Sequence, residues 1–298
     1  MVMALALARM LCKNAKVTFF IYAQVPELPE VESLANSLSR HLIGKRVRSV
    51  TTCWKRSISI GSANRLKSSL NRLVVSKVSR RGKFIVLSFS TSPKTQPNIF
   101  LLIHLRMSGR LDWIKSTIPL RKHDRIIFNF AGGYDLRFHD VRKFGRVYLV
   151  DNPSEVTASL GVEPLAVEFT KAKLIDLFSS RRGAIKPLLL NQKFVAGLGN
   201  IYVDEALWRA KIHPLRSGNS LIPGEFAALH SSIKKTLQSA IKSKGTDFGD
   251  SVILDGGFIP RVYGLEGHPC SRCAALIEKT VVTQRGTHFC PKCQREPK

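Results

Sequence analysis

Acidic side chains are scarce: 21 Asp and Glu stand against 47 Lys and Arg in 298 residues, a formal charge of +26. So large an excess of cations raises self-repulsion in the compact state and is tolerated where the partner is a polyanion. That argues against an acidic or neutral metabolite enzyme and leaves DNA, RNA or an anionic membrane surface. Long apolar runs are also missing. A membrane-spanning helix needs about 18 consecutive apolar residues, but the most apolar stretch, residues 1–8, is cut off by Arg9, and Lys13 and Lys16 interrupt the chain beyond it. The stretch is also a poor secretory signal, because its charges come after the apolar run and no small-residue cleavage site is evident. No internal repeat or low-complexity tract occurs. The chain reads as soluble and intracellular, and with 44% apolar residues it is no disordered basic tail. The length suggests two domains and a small third module.

Of six cysteines, four fall near the end as Cys270, Cys273, Cys290 and Cys293, a C-x2-C-x16-C-x2-C pattern. Two such knuckles at this distance bring four thiolates round one tetrahedral ion, so one structural Zn2+ is expected. The alternative, two disulfides in a secreted domain, lacks any sign of secretion. Cys12 and Cys53 read as incidental. In so short a module the metal supplies much of the folding free energy.

Between these extremes the patterning changes twice. Over 29–42, Val31, Leu34, Ala35, Leu38 and Leu42 recur at helical spacing behind a proline suited to a first turn, and Gly44 ends the helix. Strand periodicity comes next, over 47–52, 73–79, 84–89, 99–105, 125–130, 134–138 and 146–150, broken by turn signals such as Arg81-Gly82, which suggests an antiparallel sandwich. After Asn152-Pro153 the pattern is helical over 171–179, 185–190, 200–210 and 224–244. The expected fold is α+β and multidomain. The division is an extension over 1–25, a β-sandwich with a flanking helix over 26–152, a helical domain over 153–245, a loop over 246–263 and the zinc module over 264–298.

The opening segment Pro26-Glu27-Leu28-Pro29-Glu30-Val31-Glu32 is by composition a proline-stiffened, acid-rich helix start. Its residues nevertheless resemble the start of the formamidopyrimidine-DNA glycosylases. The resemblance extends through Ile103-His104-Leu105-Arg106-Met107-Ser108-Gly109, Lys122-His123-Asp124, Asp140-Val141-Arg142-Lys143-Phe144-Gly145 and Gly197-Leu198-Gly199-Asn200-Ile201-Tyr202 to the four-cysteine finger. Several motifs in the family's order are far more specific than any one of them.

The resemblance implies a sandwich, a helix-two-turn-helix domain and a zinc-finger β-hairpin. It also implies a bifunctional repair enzyme that excises oxidised purines, 8-oxoguanine and formamidopyrimidines, from duplex DNA and cleaves the strand at the resulting abasic site by β,δ-elimination. Pro26 is then the nucleophile, whose secondary amine attacks the anomeric carbon and forms an iminium. Glu27 is the general acid and base, Lys83 and Arg285 are cations beside the lesion, and Glu30 and Glu205 are carboxylates of the lesion pocket. Extruding a base leaves a gap. Met107, Arg142 and Phe144 match the side chains that fill it, with Arg142 reaching the orphaned cytosine. His123, Arg142, Asn200 and Arg285 are expected on DNA, with Asn200 as N-cap of a helix whose start receives a phosphate. Taken singly, Met107 and Phe144 read as core, Lys83 and Arg285 as solvated cations and Glu205 as a first-turn helix acid. The implied protein acts as a monomer in a bacterial cytoplasm, on the nucleoid.

Two departures stand out. Pro26 is preceded by Val25, so within the full chain its nitrogen is a tertiary amide with no usable lone pair. The expected resolution is that Val25 is the true start, read from a GTG codon, and that residues 1–24 come from an over-extended frame. The alternatives are removal of an acid-free organellar presequence, or a retained extension on a non-catalytic zinc-finger lesion binder. The second departure is the segment from Asp255 to Gly264, several residues shorter than the family's loop over the flipped base, which predicts weaker discrimination between 8-oxoguanine and formamidopyrimidines. The nearest enzymatic rival is the related endonuclease for oxidised pyrimidines. The Leu28-Pro29-Glu30-Val31-Glu32 continuation favours the purine branch.

Overall fold

The computed structural model describes residues 25–246 and 256–296. Expectations for residues 1–24, and for the part of the expected capping loop within 247–255, lie outside the described residues.

Helix α1 (Leu28–Leu42) forms as its periodicity predicts. Pro29 sits in the first turn, and Glu27 N–H donates to Glu30 Oε2 at 2.9 Å. Val31, Leu34, Ala35, Leu38 and Leu42 make the buried stripe, and the chain turns away at Gly44 with φ +81°. Nine strands come after it: β1 (Val47–Thr52), β2 (Ile58–Ile60), β3 (Val74–Arg81), β4 (Phe84–Ser90), β5 (Ile99–His104), β6 (Gly109–Lys115), β7 (Asp124–Phe130), β8 (Tyr134–Asp140) and β9 (Arg146–Val150). They build a four-stranded sheet in the order β1-β7-β8-β6 and a five-stranded sheet in the order β2-β9-β5-β4-β3, antiparallel except where β2 meets β9. Leu87, Phe89, Leu101 and Ile103 from one sheet share a core with Leu111, Phe128 and Phe138 from the other, and Leu34 and Leu38 of α1 join them.

The seven expected strands are present, and β2 and β6 are additions. β6 offers only two inward residues, Leu111 and Trp113, before Ile114 breaks the alternation. Helix α2 (Ala63–Leu70), capped by the Ser62 hydroxyl accepting from Arg65 N–H, was also not expected.

The helical part comprises α3 (Ser154–Thr157), α4 (Lys171–Phe178), α5 (Ile185–Leu190), α6 (Asn200–Ala210) and α7 (Pro223–Lys242). Its core gathers Phe178, Leu189, Leu207, Phe226 and Ile233, and it includes Leu28, the first residue of α1. The start of α1 thus belongs to the helical core and the rest of that helix to the sandwich core. A second tie lies at the β3–β4 turn. There the Glu163 carboxylate accepts from Gly82 N–H (2.6 Å) and pairs with Arg81 (2.9 Å) and Arg80 (2.8 Å), while Arg80 also pairs with Glu32 (2.6 Å).

The module at the end is a hairpin, β10 (Glu278–Val282) and β11 (Arg285–Phe289), joined by Thr283 and Gln284 with φ of +44° and +61°. Two consecutive positive φ values are what a two-residue turn matching strand twist requires. No helix among the described residues is long and apolar enough to cross a membrane.

Candidate active site

The seam between the two cores holds a buried carboxylate. Leu28 N–H donates to Gly197 O (3.1 Å), which presses the chain before α1 against the start of α6. There Glu27 Oε1 accepts from Ile201 N–H (3.0 Å) and Oε2 from Tyr202 N–H (3.4 Å). A helix start attracts an anion because its first N–H groups have no partner of their own. Gly199 is required here, since a Cβ would stand 2.2 Å from Glu27 Cδ, and Gly197 combines φ +86° with a Leu28 side chain 2.7 Å from where its Cβ would be. The expectation for Asn200 is corrected on one point: the N-cap is Gly199 and Asn200 is the first helical residue, while Ile201 N–H and Tyr202 N–H receive the Glu27 carboxylate.

Glu27 is 3% exposed. Burial pushes its carboxyl up from 4.5 to about 7, opposed by the Lys83 ammonium and the two N–H donors and reinforced by Glu30. A carboxyl balanced near neutrality is suited to give and take protons. Lys83 is the second residue of the β3–β4 turn. Burial lowers it below the usual lysine range, Glu27 and Glu30 pull it back up, and the Arg285 and Arg106 guanidiniums push it down again. Glu30 is also raised by burial, and it accepts from Glu27 N–H, from Thr246 N–H (2.9 Å) and, through a short hydrogen bond, from the Tyr202 hydroxyl. Glu27, Glu30 and Lys83 are thus brought together, with Pro26 next to Glu27 in the chain and the Arg285 guanidinium acting on Lys83 from the finger.

The finger is fixed to this site by groups that sequence reasoning missed. Gly286 O, next to Arg285, accepts from Lys186 Nζ (3.0 Å) and Asn200 Nδ2 (2.8 Å), and Lys186 pairs with Asp204 at 2.6 Å, both fully buried. Asp204 Oδ2 takes His288 N–H at 2.9 Å. A buried pair of this kind is costly to break, because one unpartnered charge is left behind. His104 was also passed over. Burial, then Arg106 and Lys83, hold its imidazole down at about 3, and its Nδ1 accepts from Arg106 N–H at 3.1 Å. Its place in the Ile103-to-Gly109 motif was the available signal.

Glu205 lies in the middle of α6, not in its first turn. It is 3% exposed and accepts from the backbone N–H groups of Arg261, Val262 and Tyr263, each at 2.9 Å. It anchors the chain that leads into the finger.

Met107, Arg142 and Phe144 stand on two adjoining turns. Ser108 Oγ donates to Asp140 Oδ1 (2.5 Å) and accepts from Arg142 N–H (3.0 Å), while Asp140 Oδ2 accepts from Gly145 N–H (2.7 Å). The Arg142 guanidinium lies over the Phe144 ring at 5.0 Å, and Phe144 is 46% exposed. Lys143 between them has φ +62° and places Nζ 4.1 Å above the Trp54 ring. His123 adjoins the start of this turn: its carbonyl accepts from Asp140 N–H (3.0 Å) and its ring contacts Arg125 (2.9 Å).

The ligand atoms of Cys270, Cys273, Cys290 and Cys293 all lie within 4.8 Å of one another, and none of the four is joined in a disulfide. At a Zn–S distance of about 2.3 Å, tetrahedral sulfurs stand roughly 3.8 Å apart. Trp208 Nε1 donates to Cys270 Sγ (3.4 Å), a hydrogen bond that favours thiolate over thiol. The four residues fit one structural zinc ion and not two disulfides.

These parts, in this order, are those of a zinc-finger DNA glycosylase. The family model of the formamidopyrimidine-DNA glycosylase N-terminal domain matches residues 25–147, that of the formamidopyrimidine-DNA glycosylase H2TH domain residues 160–251, and that of the zinc finger found in FPG and IleRS residues 267–295. A formamidopyrimidine-DNA glycosylase of Protochlamydia amoebophila is 41% identical over 91% of this chain and all of that protein. A Lactococcus lactis variant bound to Fapy-dG-containing DNA superposes with a TM-score of 0.84 at 37% identity, covering 91% of this chain and 100% of that one. A complex of MutM with DNA containing carbocyclic 8-oxo-G gives 0.83 at 36% identity, with the same coverage. The chain belongs to the formamidopyrimidine-DNA glycosylase family.

Proposed function

We propose that this chain, with Pro26 as its first residue, excises oxidised purines from duplex DNA and cleaves the strand at the resulting abasic site by β,δ-elimination. Its named relative and the lesion DNA in the similar complexes support the substrate class. The observation that carries the chemistry is Glu27, buried on the start of α6 beside Lys83 with its carboxyl near 7, next in sequence to Pro26. The Pro26 amine bonds to the anomeric carbon and gives up its N–H proton as the base departs with a proton. Its lone pair then closes the iminium while Glu27 delivers a proton to the opening ring oxygen. Lys83, Arg285, Asn200 and His123 are the proposed partners of the damaged strand, with Glu30 and Glu205 supporting the pocket. Met107, Arg142 and Phe144 fill the gap left by the extruded base. The protein works in the cytoplasm, on DNA, and the domain division is that drawn from the sequence.

Borohydride trapping on an 8-oxoguanine:cytosine duplex tests this. Protein beginning at Pro26 is expected to give a covalent complex and protein retaining Val25 none. No complex from the Pro26 form overturns the mechanism and favours a lesion binder, whereas preferential excision of thymine glycol moves the chain to the pyrimidine branch. Intact mass of the native protein is expected to show Pro26 at the terminus, and peptides from residues 1–24 contradict the assigned start.

A further inference from the structure

From residue 33 to residue 111 the chain carries sixteen Lys and Arg and no Asp or Glu. Several of these cations are committed: Lys83 to the active site, Arg80 and Arg81 to Glu163, and Arg65 to Asp151. Six others gather elsewhere. Arg40 stands in the last turn of α1, Lys45, Arg46 and Arg48 lead into and along β1, Arg72 lies against them, and Lys77 continues along β3. The backbone joins the end of α1 and the start of β1 to the start of β3, with Gly44 N–H to Val75 O (2.9 Å), Val75 N–H to Lys45 O (3.0 Å) and Arg72 N–H to Val47 O (3.0 Å). The Arg46 guanidinium donates to Arg72 O (2.5 Å). All six are exposed, and none forms an ion pair with a described carboxylate. The adjoining strands offer no acid to neutralise them: Asp124 is at the far end of β7, held by Arg121 and Arg137, and Asp135 is buried against Arg137.

This face is not the lesion site. At 1.5 Å per residue, the length of α1 puts its last turn about 20 Å from the Glu27 end. Six unneutralised cations in one place are self-repelling, and a phosphate backbone relieves this by releasing its counterions. Only Ile43, 50% exposed, offers apolar surface among them, too little to enter a bilayer. We infer that the face formed by Arg40, Lys45, Arg46, Arg48, Arg72 and Lys77 is a second contact for duplex DNA. It grips the backbone without reading sequence, so that a molecule engaged on a lesion holds a neighbouring segment of duplex. The inference builds on the lesion-site reading above, because the two faces must be occupied together.

The test saturates the full chain with a short duplex carrying a tetrahydrofuran abasic analogue, then titrates in a labelled undamaged duplex and monitors anisotropy at several salt concentrations. A ternary complex is expected, its log–log salt slope contributing about −0.9 per phosphate contacted. The variant R40Q/K45Q/R48Q/R72Q is expected to bind the second duplex at least about tenfold more weakly with a flatter slope, while its affinity for the analogue duplex is unchanged. Absence of a second bound duplex, equal binding by the variant, or binding of anionic vesicles in place of duplex overturns the inference, as does a parallel loss on the analogue duplex. A chain that ignores the analogue duplex refutes the lesion-site reading instead, and comparing wild type and variant on plain duplex then still decides whether this face binds DNA.

Discussion

Ser108→Ala removes one hydroxyl from the joint between the turn of Met107 and the turn of Arg142 and Phe144. That hydroxyl donates to Asp140, which is fully buried, and accepts from Arg142 N–H. Arg142 is exposed and its N–H can turn to water, so the cost falls on Asp140, left with the Gly145 N–H bond for that carboxylate. A hydrogen bond to a charged group is worth about 1.5–3 kcal/mol, and each 1.4 kcal/mol is about tenfold. If the two turns act as one unit when a base is extruded, kcat/KM on an 8-oxoguanine:cytosine duplex falls about tenfold to a hundredfold. When the lesion sits in an unpaired bubble, extrusion costs little and the loss shrinks to less than about threefold. Single-turnover excision on the two substrates measures the ratio, and a melting curve confirms that the variant is folded. Equal losses on both, or none on either, refute the idea that Ser108 couples the turns.

Glu27→Gln is expected to abolish excision and yet stabilise the fold. The Glu27 carboxyl is raised to about 7 in the folded chain from an ordinary 4.5, so the folded state holds the proton more tightly. Its stabilising effect is full below the unfolded pKa and is lost as pH rises through about 7, leaving a cost of about 3 kcal/mol at pH 8. The variant therefore melts higher than wild type at pH 8 and the gap closes by about pH 4; a lower melting temperature at pH 8 sinks this reading. Gly199→Ala sets a Cβ 2.2 Å from Glu27 Cδ, so borohydride trapping is expected to disappear while circular dichroism is retained, and a fully active variant contradicts the geometry. Chelating one zinc per chain is expected to open the finger to protease and abolish lesion binding while the sandwich keeps its strand signature; full binding by metal-free protein argues against it.

How much of this was legible in sequence depended on the range of the interaction. Helix α1 and the seven strands announced themselves through local periodicity, and the zinc site through thiol spacing. Asn200 shows where local rules fail. Its side chain is a favoured N-cap, but the room at that corner is taken by a carboxylate from residue 27, so glycine occupies the cap and Asn200 turns to Gly286 O. The Lys186–Asp204 pair and the Glu205 anchor were illegible for the same reason. Their partners lie on other segments, and no spacing rule links Glu205 to the backbone of Arg261. The expected site residues came from motif resemblance, which names a segment without saying which of its side chains supports and which acts, as His104 and Ser108 illustrate.

The placement of Glu27 results from the division of α1 between two cores. Leu28 is locked among the helical side chains and Val31, one turn later, among those of the sandwich. Any sliding of one part over the other must therefore pull a fully buried side chain into water, at about 1.5–3 kcal/mol for each. That holds the residue just before α1 against the N–H groups of Ile201 and Tyr202 with little freedom. Those donors favour its charged form, while burial beside Glu30 favours the neutral one. Burial is the larger effect, which leaves the carboxyl near neutrality and able to both give and take a proton. A more open seam would leave Glu27 an ordinary ionised carboxylate and a poor acid at pH 7. The packing of α1 thus sets the proton affinity of the carboxyl proposed to act on the opening sugar ring.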